Sequence, residues 1–373
     1  MKIKNTGYIS RAEAGTNRAC LTFGTVTQIS DGTLLATARA GNDKDSDNEL
    51  IEFYRSIDDG NNWGAATTPF RDVFVDGKFG TLKLCYLTEL APDHILAAAM
   101  WVDRESYPGK PLFNSKTEGC LPMAILLASS SDKGETWTEW RCVQMPDELG
   151  PPSLTNPILK MPDGSLAMSI ETNKHYDDYS AWEQKAVFLY SHDMGKSWSL
   201  PVIAAEDSAA KIFNWDLRCG VGSDGRVASF AWTYDTLTGK YLNIHRRISG
   251  NGGHSWDAAT DLGFADQAGP PAMLPDGRVV LAWVDRFEGR NIRARIAPAI
   301  DAPFDANSEV VLYNHDDSKM EGTDNLGDLL VGMEMWSFGL PFATALNNGD
   351  VLVTYYAGDR RSMGLYYAKL STL

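Results

Sequence analysis

Two carboxylates are the first chemistry that the chain offers. Glu171 closes the apolar run Leu166-Ala167-Met168-Ser169-Ile170-Glu171, and Asp216 sits in Asn214-Trp215-Asp216-Leu217-Arg218. A charge at the end of a buried run is costly unless it is paired or used. Arg39, at the end of Leu34-Leu35-Ala36-Thr37-Ala38-Arg39, raises the same question, and an Arg39–Glu171 ion pair is the structural answer. Two carboxyl groups facing one ligand can serve as general acid and base, as nucleophile and partner, or as holders of sugar hydroxyls. Arg39, Arg218, Arg286, Arg290 and Arg360 would bind an acidic or hydroxyl-rich group. Arg104 and Arg286 close the same tetrapeptide, Trp101-Val102-Asp103-Arg104 and Trp283-Val284-Asp285-Arg286. These can present two Asp–Arg pairs, or only surface ion pairs worth little. A second chemistry, elimination at a uronate, would need a Tyr or His base beside an Arg. Tyr234, Tyr356 and His175 are its candidates, although a lone His in a polar loop is more often simply solvated. No His or Cys stands at zinc spacing and no Gly-rich phosphate loop follows a strand, so neither metal nor cofactor is expected.

The elements that must position these residues repeat. The octapeptide Ser130-Ser131-Asp132-Lys133-Gly134-Glu135-Thr136-Trp137 recurs as Ser56–Trp63, Ser191–Trp198 and Ser249–Trp256, the last with Asn251 in the Asp place. Its Ser and Asp can bond nearby backbone N–H groups, and its Gly supplies a backbone angle that other residues avoid. A second repeat, a turn followed by an apolar run, begins at Asp31, Pro92, Asp163, Asp224, Asp276 and Asn348. Asp-Gly and Asn-Gly suit the tight turn between antiparallel strands, and an unbroken apolar run suits a strand buried on both faces. Counting from each turn to the end of its strand gives Arg39, Trp101, Glu171, Trp232, Trp283 and Tyr355 as equivalent positions. Their aromatics would stack on a sugar ring or pack between neighbouring units. The matching count back to the preceding strand finds one carboxylate, Asp216.

The octapeptide resembles the Asp-box of the sialidase (neuraminidase) superfamily, and the likeness runs along nearly the whole chain through its repeats. It implies an all-β fold, a six-bladed β-propeller with four antiparallel strands per blade. Residues 1–373 would form one domain, with the N-terminal strand closing the last blade. It also implies that the boxes are structural and lie on the face away from the active site. Asp216 stands where the family has a Glu that activates a Tyr nucleophile. The family's three arginines find an approximate match in Arg18, a Trp at Trp232, and a match in Arg290. The Tyr should fall in Trp336-Ser337-Phe338-Gly339-Leu340, which has aromatics but no phenol. The mobile acid of the first long loop is matched by Asp43, Asp45 and Asp47, with Asp47 favoured. This partial match implies a sialidase-like glycoside hydrolase for a glycan other than ordinary sialic acid. Asp216, Glu171 and a loop Asp would share its acid and base roles. A lyase or a non-catalytic glycan- or protein-binding propeller are the alternatives.

The bulk composition agrees with a carbohydrate partner. A formal net charge of −15 argues against nucleic acid and anionic membranes. Eleven Trp and fourteen Tyr suit packed β-sheets or a sugar-binding surface. Five scattered cysteines read as free thiols in a reducing compartment. The start, Met1-Lys2-Ile3-Lys4-Asn5, lacks the apolar run of a secretory signal, and no stretch is apolar enough to span a membrane; a cytoplasmic location is expected.

Overall fold

A computed structural model describes residues 1–315, 336–359 and 361–373. Five of the six turns of the second repeat fold through their own side chain. The Asp31, Asp163, Asp224 and Asp276 carboxylates accept the N–H two residues on at 2.9–3.1 Å, and the Asn348 amide does the same at 2.9 Å. The glycine between them has a φ of 82–92°, which a side chain would resist. Beyond each turn the strand is buried. Every residue of Leu34–Gly41 and of Leu166–Glu171 is buried, so these strands have neighbours on both faces. Truncating one of their leucines to Ala would cost about 2–5 kcal/mol.

The octapeptides close with the bonds that their residue types permit. The N–H groups of Gly60, Gly134, Gly195 and Gly253 donate to the Ser hydroxyl four residues earlier at 2.8–3.0 Å. Asp58, Asp132, Asp193 and Asn251 each accept the N–H four residues later at 2.9 Å. The following Trp reaches the preceding sheet: the Trp137 ring lies 5.5 Å from Phe53, and that of Trp256 5.4 Å from Phe188.

The described residues form five hydrogen-bonded sheets, and helix is limited to two short 3₁₀ turns. The first sheet joins the two ends of the chain. Phe338–Ala345, Val351–Asp359 and Ser362–Ser371 run on to Cys20–Gln28, Leu34–Gly41 and Leu50–Ser56, through a single parallel bridge between Met363 and Cys20. Lys2–Ser10 pairs antiparallel with Ser362–Ser371. The other four sheets follow in chain order, with His94–Asp103, Leu166–Glu171, Val227–Asp235 and Val279–Asp285 as their central strands. Each sheet packs on the next, and the last packs back on Phe338–Ala345. Threonines tie the inner strands together: Thr27, Thr88, Thr155 and Thr344 donate to the carbonyls of Leu87, Ile158, Leu217 and Val26 at 2.7–3.3 Å. Among the described residues no helix is long and apolar enough to cross a membrane.

Candidate functional site

The inner strands break register at one common level. The breaks fall between Thr22 and Thr25, Leu82 and Leu84, Trp215 and Arg218, and Gly339 and Phe342. Such bulges re-aim a side chain. Here they deliver Phe23, Lys83, Asp216 and Leu340 to the wall of one cavity of about 190 Å³. Phe23, Asp216 and Leu340 hold φ of 51°, 47° and 47°, a region that favours glycine. Non-Gly residues persist there at an estimated cost of about 1–3 kcal/mol where the surroundings over-determine them.

The bulge that turns Asp216 inward also exposes the next N–H. Leu217 N–H donates to Glu171 Oε1 at 2.9 Å, so the two carboxyl groups line the cavity as neighbours. Their environments differ. Glu171 is buried, and burial first, with the nearby Asp216 charge second, holds its carboxyl well above the ordinary carboxylate range. The Asp216 side chain is 25% exposed, with one oxygen ion-paired to Arg218 at 3.1 Å and the other accepting from the Gln267 amide. Arg218 is anchored in turn by the Tyr86 hydroxyl at 3.0 Å and by the Thr155 carbonyl.

Arg286 and Tyr356 form the next part of the wall. Arg286 donates to Gln267 Oε1 at 2.6 Å and to the Phe338 carbonyl at 2.9 Å, and its guanidinium lies 3.9 Å over the Trp336 ring. Tyr356 donates to the Trp336 carbonyl at 3.4 Å, and burial raises its phenol above the usual range. Lys44 crosses from the first loop to the same carbonyl at 2.8 Å.

A buried charge cluster supports the opposite part. Lys83 donates to Glu49 at 2.7 Å and to Asp45; Arg104 reaches both carboxylates; Arg39 lies 3.5 Å from Glu49. Asp45 also accepts the Leu112 N–H at 2.8 Å. Burial opposes its charge, yet Lys83 and Arg104 outweigh that and hold it well below the usual carboxylate range. Three basic side chains face two carboxylates here, and burial pulls the Lys83 ammonium below its usual range. Nε of Arg39, Arg218 and Arg286 and the indole N–H groups of Trp215 and Trp232 meet no acceptor among the described residues. All five residues line the cavity, with these particular atoms buried behind its surface. Leu84, Met100, Leu112, Phe113 and Met123 give it an apolar part.

Of the sequence candidates, Glu171, Asp216, Arg39, Arg218, Trp232, Arg286, Trp336 and Tyr356 meet in this cavity. Arg39 pairs with Glu49 and not with Glu171, so the ion pair considered for those two is replaced by another. Asp47 is exposed and lines a separate hollow beside Phe70 and Arg71; Asp45 takes the place in the wall. Arg18 is held by Glu52 at 2.6 Å and by Glu13, outside the cavity. Arg104 stands behind Asp45. Trp101 and Trp283 point between sheets, where Trp101 donates to the Val73 carbonyl at 3.2 Å and Trp283 stacks 4.4 Å from Phe264. Tyr234 stacks on Trp215 at 5.1 Å, within the aromatic packing. His175 is exposed, and Arg290 offers only its carbonyl, to His315 N–H at 2.9 Å. Asp103 and Asp285 pair with Lys78 and Arg293, not with the arginines that follow them. Arg360 lies outside the described residues. Lys83, Trp215 and Gln267 escaped the sequence reading. Lys83 carried a signal, since it is a lone charge in the apolar run Leu82–Leu87.

No family model matches the chain, and no curated protein matches it. Solved structures do. A Dyadobacter fermentans protein of unknown function is 20% identical, with a TM-score of 0.72 over 99% of this chain and 100% of that one. The intramolecular trans-sialidase of Ruminococcus gnavus, solved with oseltamivir carboxylate, is 14% identical, with a TM-score of 0.65 over 98% and 97%. The α-L-arabinanase of Penicillium chrysogenum, solved with arabinobiose, is 13% identical, with a TM-score of 0.64 over 100% and 99%. The chain therefore has the all-β, sialidase-type propeller fold that glycosidases of different specificity share.

Proposed function

We propose that the protein is a glycoside hydrolase whose substrate carries an anionic or hydroxyl-rich sugar other than ordinary sialic acid. The observation that supports this most is the neighbouring pair Glu171 and Asp216, buried to different degrees in a cavity that Arg39, Arg218 and Arg286 also line. Glycosidases divide acid and base roles between carboxyl groups whose surroundings separate their proton affinities. Glu171, desolvated and raised, keeps its proton and protonates the leaving oxygen. Asp216, ion-paired at one oxygen and an acceptor at the other, serves as base or nucleophile. Asp45 is too firmly ionised to act as the acid; it holds Lys83 and Arg104 in place. Arg39, Arg218 and Arg286 receive the anionic or hydroxyl group, and Tyr356, kept neutral by burial, lends a hydroxyl. On the same reading the seven-stranded sheet divides at the Met363–Cys20 bridge, which makes six blades in one domain, and the octapeptides are Asp-boxes.

Tyr356 beside Arg286, and Tyr86 bonded to Arg218, are arrangements that would suit a uronate lyase instead. Turnover of a panel of aryl glycosides, including sialosides, uronides and arabinosides, tests both readings. Hydrolysis by wild type that is lost in Asp216→Asn and Glu171→Gln is the expected result. An unsaturated product absorbing in the ultraviolet would establish the lyase, and glycan binding with no turnover would leave a binding propeller.

A further inference from the structure

Gln267 is the only uncharged side chain among the described residues that joins the reacting carboxylate to an arginine of the cavity. It is 3% exposed, in the short strand Gln267–Ala268, and it lines the cavity. Its Oε1 accepts from Arg286 at 2.6 Å, and its Nε2 donates to Asp216 Oδ2. A guanidinium has only donors, so the amide oxygen must face Arg286 and the amide nitrogen must face Asp216. Arg286 is itself fixed by the Phe338 carbonyl, by the Trp336 ring and by Asp266, which accepts its backbone N–H at 2.9 Å. The far end of the amide is thus anchored, and the near end sets where Asp216 can point. A carboxylate here would repel Asp216, and an ammonium would repel Arg286. An amide satisfies both.

We infer that Gln267 is a positioning residue for Asp216: it locks the carboxylate rotamer opposite Arg218, leaving Asp216 aimed at the cavity. The inference rests on the reading of Asp216 as the reacting carboxylate. The groups that bear on Asp216 from the elements around it are Tyr86, Glu171, Arg218, Tyr241, Arg286 and Tyr356.

Two variants test it, Gln267→Leu and Gln267→Glu, assayed on whichever aryl glycoside of the panel wild type hydrolyses. Gln267→Leu removes both bonds, and the expected loss is about 10–100-fold in kcat with KM little changed, the usual scale for a supporting residue. Gln267→Glu carries the sharper test. Ionised, it cannot donate to Asp216; protonated, it presents one O–H donor and one acceptor, as the amide does. Its kcat should fall as far as that of the leucine variant near neutral pH and recover towards wild type on acidification, once the carboxyl takes up a proton against the pull of Arg286. A merely structural role would give no such recovery, and Gln267→Glu decides the matter even if Gln267→Leu fails to fold. Wild-type kcat in both variants at every pH, with Asp216→Asn inactive, overturns the role of Gln267 and leaves the reading of the site. Activity that survives Asp216→Asn, or no hydrolysis of any panel member, overturns that reading and the role with it.

Discussion

The two ends of the sheets are built by opposite rules. At one end the octapeptides close on themselves, with Ser and Asp bonding N–H groups no more than four residues away. At the other end the cavity is assembled from distant parts of the chain. Lys83 meets Asp45 across 38 residues, Arg218 meets Tyr86 across 132, and Lys44 meets Trp336 across 292. A local motif can be copied from unit to unit, because each copy satisfies its own hydrogen bonds. A site made of long-range contacts occurs once and leaves no repeat. The first end carries the architecture, and the second carries the chemistry proposed above.

Five substitutions, in four groups, would break or sharpen that contrast. The largest effect is expected at the cavity. Asp216→Asn and Glu171→Gln should each lower kcat by about 10²–10⁴, the scale of one general acid or base, with melting temperature held or raised for the glutamine variant. Steady-state kinetics beside a thermal melt reads both quantities, and a variant that keeps its kcat would remove its residue from the mechanism. Next comes Asp45→Asn, which leaves Glu49 as the one carboxylate, among the described residues, paired with buried Lys83 and Arg104. It should destabilise the fold by about 3–5 kcal/mol in urea denaturation. A loss below about 1 kcal/mol would mean that water already reaches the cluster.

Third is a pH effect from Asp266. Burial pushes its carboxyl up to about 7, against the opposing pull of Arg286. A raised carboxyl favours the protonated fold, so its contribution is intact below the ordinary carboxylate value and is lost as pH rises to about 7. Asp266→Asn should therefore gain on wild type across that window, by an amount on the order of 4 kcal/mol at the alkaline end. Stability curves that stay parallel with pH would refute the assignment. The smallest effect is expected at the turn end. Ser130→Ala removes the acceptor of Gly134 N–H and the donor to Asp132, and should cost about 1–2 kcal/mol with kcat unchanged. A fall in kcat there would show that the two ends are coupled.

The turn end was legible because its rules are local. Asn251 in place of Asp, for instance, still accepts the Ser255 N–H at 2.9 Å, so the weakest copy was readable from hydrogen-bonding type alone. The cavity was legible only where a charge sat at a strand end or a bulge. Glu171, Arg39 and Asp216 were found that way, and Lys83 fell under the same rule without being noticed. Trp101, Trp232 and Trp283 occupy equivalent positions in the count, yet only Trp232 lines the cavity. Strand twist and the bulk of each neighbouring sheet decide which face such a ring takes. Gln267 offered no signal, since an uncharged polar residue near a turn is ordinary. Its partners lie 51 and 19 residues away. Asp47 and Asp45 differ by two residues, and only the Leu112 N–H, Lys83 and Arg104 single out the second.

The pairing of Lys2–Ser10 with Ser362–Ser371 has a consequence for the chain while it is being made. Tyr8 leaves the ribosome 358 residues ahead of its partner Tyr366. At about 5–20 residues per second the first strand waits on the order of 20–70 s for its neighbour. Throughout that interval its backbone groups are an open template for any other extended chain. Lys2 and Lys4 stand exposed on this strand, and their charges discourage such pairing. Lys4, which in the finished fold donates to Asp350 at 2.7 Å, has no such partner until residue 350 has been made.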